Sequence, residues 1–241
     1  MNLCDLALGK RRRIVFFTGA GISAESGIPT YRGKGGLWHQ YNYEEYACQL
    51  AFDRNPEKVW DFHEERRAFV ARCTPAEGHR IIADIEKHIP GTTVITQNID
   101  GMHQRAGSRN VIELHGSMWR VRCDCNMGVR ENNDVPLRSR QCDCGAYLRP
   151  DIVWFDDPLD TEVIERAMRA VQTCDLLITI GTSAMVFPAA QIPLIAMQRK
   201  VPTIEINPEK TGLTPYYTVF LKGTAGAMLN RLWAHASWTT P

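Results

Sequence analysis

The sequence has almost no net charge and no long hydrophobic run. Its 28 Lys and Arg residues balance 27 Asp and Glu residues, so no overall field attracts nucleic acid or an anionic membrane. No apolar stretch approaches the ~20 residues of a membrane span, and no signal-peptide apolar region precedes Lys10. We therefore expect a cytoplasmic protein with no nucleic acid or membrane partner. We also expect the protein to be a monomer. Internal repeats and low-complexity tracts are also absent.

A glycine-rich turn follows the first strand-like run. The β-forming residues 14–18 lead into Gly19 and Gly21, with Ala24 in the last small-residue position of the pattern G-x-G-x-x-G/A. In such a pattern Gly19 allows a tight turn, Gly21 lets a phosphate approach the backbone, and amides of the helix that opens there face the anion. The same spacing occurs in tight connections that bind no ligand. On the glycines alone, both interpretations stay open.

Short apolar runs recur at residues 92–96, 111–114, 175–180 and 203–206. They are rich in β-branched residues, which suits strands buried on both faces. Between them the sequence predicts three helices. One opens with a capping box at Thr74 and runs to about His88, one spans 160–171, and one spans 187–200 with a kink at Pro193. Alternating strands and helices predict an α/β fold with a doubly wound, Rossmann-like parallel sheet.

Two segments interrupt this alternation, residues 34–72 and 118–150. We interpret them as a smaller inserted helical and metal-binding module within a single domain, whose larger part comprises about 1–33, 73–117 and 151–241. The second segment contains two close cysteine pairs, and in a chain without a secretion signal such pairs favour a metal over disulfides. The pairs are formed by Cys123, Cys125, Cys142 and Cys144.

Polar residues follow four of the predicted strands. Each group alone is explained by turn chemistry, and a lone histidine is more often structural than catalytic. Four such groups at successive strand ends, beside a glycine-rich loop, indicate one site, because ligands gather at the carboxyl ends of parallel strands. The residues concerned are Gln97, Asn98 and Asp100, then His115, then Gly181, Thr182 and Ser183, then Asn207.

Several sequence blocks together resemble the sirtuins, the NAD-dependent protein lysine deacylases. The blocks are GAGISAESGIPTYRG, TQNID, ELHGS, LRPDIVWF, IGTS, EIN and the late GTAG. They follow one another from Ile14 to about Leu229, nearly the whole chain. Within the family the chain is most similar to the class III, desuccinylase-like branch.

The resemblance implies NAD as cofactor, His115 as general base and a catalytic role for Asn98. In the family reaction the acyl-lysine carbonyl oxygen attacks C1′ of the nicotinamide ribose and expels nicotinamide. The histidine then deprotonates a ribose hydroxyl, which closes on the imidate carbon, and water releases lysine and 2′-O-acyl-ADP-ribose. An imidazole with a pKa near ~6.5 suits this proton abstraction. The implied cofactor-binding residues are Ala20, Gly21, Glu25, Tyr31, Arg32, Gln97, Asn98, Asp100, Gly181, Thr182, Ser183, Asn207 and Ala225.

The partners implied by the resemblance are acyl-lysine proteins or peptides. A strand containing Val153 and Phe155 would pair with the substrate backbone by β-augmentation. The family usually continues with Gly-Glu, whereas this chain has Asp156-Asp157. The extra negative charge favours basic residues beside the substrate lysine, unless the two residues form an ordinary acidic turn.

The acyl pocket implied by the class III resemblance involves Ala47, His63 and Arg66. In that branch a Tyr-x-x-Arg pair binds a carboxylated acyl chain, and His63 stands in place of the tyrosine. We predict deacetylation with acceptance of succinyl or malonyl groups, with a pH dependence from His63. Two alternatives remain: a pocket adapted to other acyl groups, and an Arg66 that only pairs with Glu64 or Glu65 on a solvated face.

The four paired cysteines stand where the family holds one structural zinc ion. The family pattern is C-x-x-C in both pairs, whereas this chain has C-x-C twice. Four thiolates still satisfy tetrahedral zinc. The alternative is a degraded or easily oxidised site.

Other functions compete with deacylation. Mono-ADP-ribosyl transfer or NAD hydrolysis would use the same cofactor chemistry. A non-catalytic NAD-binding module would be expected to lack His115, Asn98 or Asp100, and all three are present. A dehydrogenase is disfavoured, because no acidic residue ends a second strand about 20 residues beyond Gly19.

Overall fold

The computed structural model describes residues 10–31, 36–125 and 128–234, without the side chain of His39. Every helix in these ranges is too short or too polar to cross a membrane. The strands are β1 Ile14–Thr18, β2 Thr93–Thr96, β3 Val111–Glu113, β4 Gly116–Cys123, β5 Gly128–Glu131, β6 Arg149–Ile152, β7 Leu176–Ile180, β8 Thr203–Asn207 and β9 Val219–Lys222. The α-helices are α1 Tyr43–Tyr46, α2 Gln49–Arg54, α3 Pro56–Arg72, α4 Glu77–His88, α5 Met102–Ala106, α6 Thr161–Thr173, α7 Ile192–Gln198 and α8 Ala225–Ala234.

Six strands form one sheet in the order β3-β2-β1-β7-β8-β9. All five neighbouring pairs are parallel. Each predicted apolar run forms one of these strands, which confirms the doubly wound α/β fold. The chain order reverses between β1 and β7, so residues that follow these two strands meet at one edge of the sheet.

Helices cover both faces of this sheet. Alternate residues of β1 point in opposite directions. Ile14 and Phe16 pack in a core that includes residues of α4 and α8. Val15 and Phe17 pack in a second core that includes residues of α6 and α7. Burial on both faces explains why β1 is apolar along its whole length.

Two predicted helix features are wrong in detail. The N-cap of α4 is Ala76 rather than Thr74, and its backbone N–H donates to Ser26 Oγ at 2.9 Å, so a long-range contact replaces the local capping box. Pro193 lies in the first turn of α7, where a missing N–H costs nothing, and therefore opens the helix instead of kinking it.

A smaller sheet, ordered β5-β4-β6 and antiparallel, packs against α3. Its core contains Val59 and Trp60 of α3 with Val121 of β4 and Leu148. The Trp60 indole also donates to the Leu148 carbonyl oxygen at 2.6 Å. This small antiparallel module with its four cysteines accords with the predicted insertion.

Arg67 joins α3 to this module from inside the protein. Its side chain is almost fully buried. The guanidinium donates to the carbonyl oxygen of Met118 and to the carbonyl and side-chain oxygens of Asn132, both at 2.8 Å. A further bond reaches the carbonyl oxygen of Asp134 at 2.9 Å. The Met118 contact is buried and the other three are partly buried, so loss of the guanidinium would leave these oxygens without their donor.

We expect Arg67→Met to destabilise the protein by about 3 kcal/mol, because breaking a buried charged contact leaves several oxygens without a donor. Urea unfolding followed by circular dichroism measures the loss. Arg72→Met on the same helix is the matched control, because Arg72 is exposed. Equal stability of the two variants would contradict the role of Arg67.

Candidate active site

The glycine-rich turn lies where the sheet order reverses. The backbone N–H of Gly21 donates to the Gly181 carbonyl oxygen at 2.9 Å. A Cβ atom on Gly21 would lie 2.6 Å from the Gly181 Cα, and Gly181 itself has a φ of +62°. The two glycines are therefore required for this approach between loops. The predicted helix after the turn is wrong, since residues 20–22 and 24–26 form only short 3-10 turns.

The residues that follow β2 are hydrogen-bonded to both glycine-containing loops. Gln97 Nε2 donates to Thr182 Oγ1 at 3.0 Å. Asn98 is buried, and its Nδ2 donates to the Gly19 carbonyl oxygen at 3.0 Å. Residues that follow β1, β2 and β7 thus belong to one hydrogen-bonded edge, as predicted from their positions after strands.

Asp100 is buried beneath this edge. One carboxylate oxygen accepts from Ser23 Oγ at 2.7 Å and the other from the Met102 backbone N–H at 2.9 Å. Burial raises the pKa of Asp100 against these two hydrogen bonds. The hydrogen bonds hold the side chain in one position.

Two buried histidines extend the polar cluster and were missed from the sequence. His79 Nε2 lies 3.4 Å from Ser23 Oγ, and His103 Nε2 lies 3.0 Å from Thr18 Oγ1. Their ring centroids are 4.8 Å apart. Burial lowers the pKa of His79 to about 4 and that of His103 well below its usual value. Both rings are therefore neutral at pH 7. Neither histidine stands out in the sequence, because each is followed by a polar residue, Arg80 or Gln104.

His115 has a defined tautomer. Its Nδ1 lies 2.8 Å from the Gln97 carbonyl oxygen. Because a carbonyl only accepts, Nδ1 carries the proton and Nε2 of the neutral ring has the free lone pair. Burial lowers the pKa of His115, which keeps the ring neutral, while the bond to Gln97 opposes this shift. The arrangement suits a general base.

The segment predicted to pair with substrate begins directly beside His115. The Val153 N–H donates to the His115 carbonyl oxygen at 2.9 Å, and the Phe155 N–H donates to the Ala47 carbonyl oxygen at 3.2 Å. The predicted strand assignment is wrong, because β6 ends at Ile152. Phe155 is 46% exposed, and its ring centroid lies 4.4 Å from that of Tyr43.

Both acidic residues after Phe155 have partners inside the chain. Asp156 accepts from the Gln49 N–H at 3.0 Å, at the start of α2. Asp157 pairs with Arg149 and accepts from the Trp154 N–H at 2.9 Å. These contacts favour the interpretation as a structural turn over attraction of a basic substrate.

The three acyl-pocket residues lie in different surroundings. Ala47 is buried. His63 is also buried, its ring stacked on Trp154 at 6.1 Å between centroids, and its Nε2 has no hydrogen-bond partner. Burial lowers the pKa of His63 to about 3, so the predicted charge near neutral pH is disfavoured. Arg66 lies beside the Tyr31 hydroxyl and lowers its pKa against the effect of burial.

The remaining predicted cofactor residues lie in the turns after β1, at the ends of β7 and β8, and at the start of α8. Asn207 is buried and its Nδ2 donates to the Thr182 carbonyl oxygen at 3.0 Å. Ser183 is exposed, Ala20 is partly buried, and Ala225 is buried at the start of α8. Glu25 binds the same helix end, because it accepts from the Gly226 N–H at 2.8 Å. Arg32 lies outside the described residues.

The four paired cysteines converge. All four sulfur atoms lie within 4.8 Å of one another. The Cys123–Cys144 and Cys125–Cys142 sulfurs are each 3.6 Å apart. Tetrahedral zinc with Zn–S distances of about 2.3 Å needs sulfurs roughly 3.8 Å apart. The C-x-C spacing therefore fits one zinc ion.

Comparison with known proteins identifies the family. The Sir2 family model matches residues 19–188. The chain is 47% identical to the NAD-dependent protein deacylase 2 of Pyrobaculum aerophilum, over 96% of this chain and 94% of that protein. A mutant Sir2 homologue with ADP-ribose matches 98% of this chain and 96% of its own, with 44% identity and a TM-score of 0.93. A Sir2 complex with a p53 peptide and NAD+ matches 97% and 98%, with 31% identity and a TM-score of 0.84. The chain therefore belongs to the Sir2 family of NAD-dependent protein deacylases.

Proposed function

We propose that this protein removes acetyl, succinyl and malonyl groups from protein lysines by an NAD-consuming reaction in which His115 is the general base. The observation that carries the proposal is the tautomer of His115. Its proton lies on Nδ1 against Gln97, at a strand end shared with the glycine loops. Nε2 is thereby free to accept a proton from a substrate hydroxyl.

The cofactor site is the edge where β1, β2, β7 and β8 end. Bound NAD supplies the nicotinamide–ribose bond that is broken and the ribose that accepts the acyl group. The glycine loop at residues 19–21 and the buried Asn98 and Asp100 lie on one side of this edge, with Thr182 and Asn207 on the other. The position at a reversal of strand order is the usual place for a dinucleotide.

The substrate peptide lies along Val153–Phe155 in this proposal. The His115 carbonyl oxygen accepts from the Val153 N–H, so the proposed base lies directly beside the proposed peptide-binding segment. The exposed Phe155 ring, which lies beside the Tyr43 ring, supplies an apolar wall for the lysine chain. The Sir2 complex with a p53 peptide supports a peptide substrate.

Arg66 provides the charge for a carboxylated acyl group. Of its two neighbouring glutamates, Glu64 pairs with Arg140 instead. Among the described residues, no carboxylate lies within ion-pair distance of Arg66, whereas the Tyr31 hydroxyl lies beside it. A partly buried guanidinium can bind a carboxylate through two parallel hydrogen bonds, and the neighbouring hydroxyl can donate another. Tyr31 takes over the hydroxyl that His63 does not supply.

The zinc ion proposed for the four cysteines stabilises the acyl pocket through α3. Arg140, two residues before Cys142, pairs with Glu57 and Glu64 and, at 2.7 Å, with Asp61, all on α3. The opposite side of α3 carries Arg66. Loss of the metal would therefore loosen the helix that shapes the pocket.

The kcat/KM of deacetylation should rise with pH and reach half its plateau below pH 6.5, because His115 must be neutral and burial lowers its pKa. His115→Ala should reduce turnover by about 10²–10⁴-fold. Mass spectrometry of the products from NAD and an acetyl-lysine peptide measures both.

His88→Ala, at an exposed end of α4, is the control for the histidine substitution. Near-wild-type turnover by a folded His115→Ala variant would contradict the assignment. Release of ADP-ribose without 2′-O-acyl-ADP-ribose would instead favour NAD hydrolysis.

Arg66→Met should lower the ratio of desuccinylation to deacetylation at least about tenfold, because one charge-assisted hydrogen bond to the carboxylate is lost. Parallel assays with succinyl-lysine and acetyl-lysine forms of one peptide give the ratio. Arg72→Met, an exposed position on α3, should leave it unchanged. An unchanged ratio in Arg66→Met would refute the carboxylate clamp.

Gently purified protein should contain one zinc ion per chain. Cys144→Ser should lose the metal and lower the melting temperature by roughly 5–10 °C, since metal binding contributes folding free energy. Elemental analysis and thermal unfolding measure the two effects. Cys48→Ala, outside the cluster, is the control. Absence of zinc in the wild-type protein would overturn the metal site.

A further inference from the structure

We propose that Trp119 is a positioning residue for the cofactor site, acting through the turn that carries Asp100. The Trp119 indole N–H donates to the Asp100 backbone carbonyl oxygen at 2.8 Å. Trp119 lies on β4, four residues after His115. The inference deepens the proposed function, because it rests on Asp100 lining the NAD site.

The other acceptors of Asp100 are already occupied. Its carboxylate oxygens accept from Ser23 Oγ and from the Met102 N–H. Ser23 belongs to the glycine-rich loop, so its hydrogen bond fixes the Asp100 side chain to that loop. The Trp119 indole fixes the backbone of Asp100 to β4. Loss of the indole N–H would leave one side of the turn without its hydrogen bond.

The indole ring also limits the position of Gly101. A Cβ atom on Gly101 would lie 2.9 Å from Trp119 Cδ1 and 3.0 Å from Nε1, and the φ of Gly101 is +71°. Only glycine fits both the backbone conformation and the space beside the ring. The tryptophan is thus in close contact with the turn as well as hydrogen-bonded to it.

Two further contacts fix Trp119. Its backbone N–H donates at 3.2 Å to the Oγ of Ser117, which lies on the same strand two residues after His115. The buried Arg67 guanidinium lies 5.1 Å from the centre of its ring. A cavity of about 420 Å³ is lined by Trp119, Gly101 and Ser117 among others. A smaller side chain at position 119 would leave the turn free to shift toward this cavity.

Calorimetric titration with NAD tests the role directly. We expect Trp119→Phe to raise the Kd for NAD about tenfold, and to raise the KM for NAD while kcat stays within twofold. The matched control is Trp60→Phe. It removes the same kind of bond, from the Trp60 indole to the Leu148 carbonyl oxygen at 2.6 Å, but in the cysteine-containing module. This variant should lose stability and keep the wild-type Kd for NAD.

A second variant separates the hydrogen bond from the ring. Replacing Trp119 with β-(3-benzothienyl)alanine keeps the bicyclic shape and removes only the N–H. A raised Kd in this variant supports the proposal, also where Trp119→Phe does not fold. A wild-type Kd in either folded variant, or an equal rise in Trp60→Phe, overturns it. If the wild-type protein binds NAD without deacylating peptides, the proposed function fails while the Kd comparison still decides the role of Trp119.

Discussion

The close approach of two backbones at the ends of β1 and β7 determines the geometry of the active site. The Gly21 N–H reaches the Gly181 carbonyl oxygen at 2.9 Å, and neither position has room for a Cβ atom. This contact closes the edge of the sheet where the strand order reverses. It brings Gln97 from β2 within hydrogen-bond distance of Thr182 from β7. A side chain at either glycine would separate the loops and break the edge.

Helix α3 connects the small antiparallel module to the predicted acyl pocket. The Trp60 indole donates a hydrogen bond to Leu148, which follows the cysteines, and the Arg67 guanidinium donates one to Met118 on β4. Arg66, on the same helix, lies beside Tyr31. Helix α3 thus contacts the module that contains the four cysteines, the sheet that carries Trp119 and the predicted acyl pocket. The proposed zinc site and the proposed acyl pocket therefore share one structural support.

The sequence predicted those parts of the protein that depend on local patterns. Apolar, β-branched runs predicted the strands, and the polar residues after them predicted the edge where Asn98, His115 and Asn207 lie. Features that depend on distant partners were not predictable. The sequence left open whether Asp156 and Asp157 attract a basic substrate or form an acidic turn, and their contacts with Gln49 and Arg149 favour the turn. The hydrogen-bond acceptor for the N-cap residue of α4 likewise comes from Ser26, and the buried side chain of His63 packs on Trp154.

Burial disfavours charge throughout the predicted cofactor edge. It raises the pKa of Asp100 and lowers the pKa values of His79, His103 and His115. For His115 the hydrogen bond to the Gln97 carbonyl oxygen acts in the opposite direction, so its base strength reflects a balance between the two effects. The position of that carbonyl depends in turn on Gln97, which is bonded through its backbone N–H to Thr18 and through its side chain to Thr182. The strength of the proposed base is therefore set by the same edge of β1 and β7 that forms the proposed cofactor site.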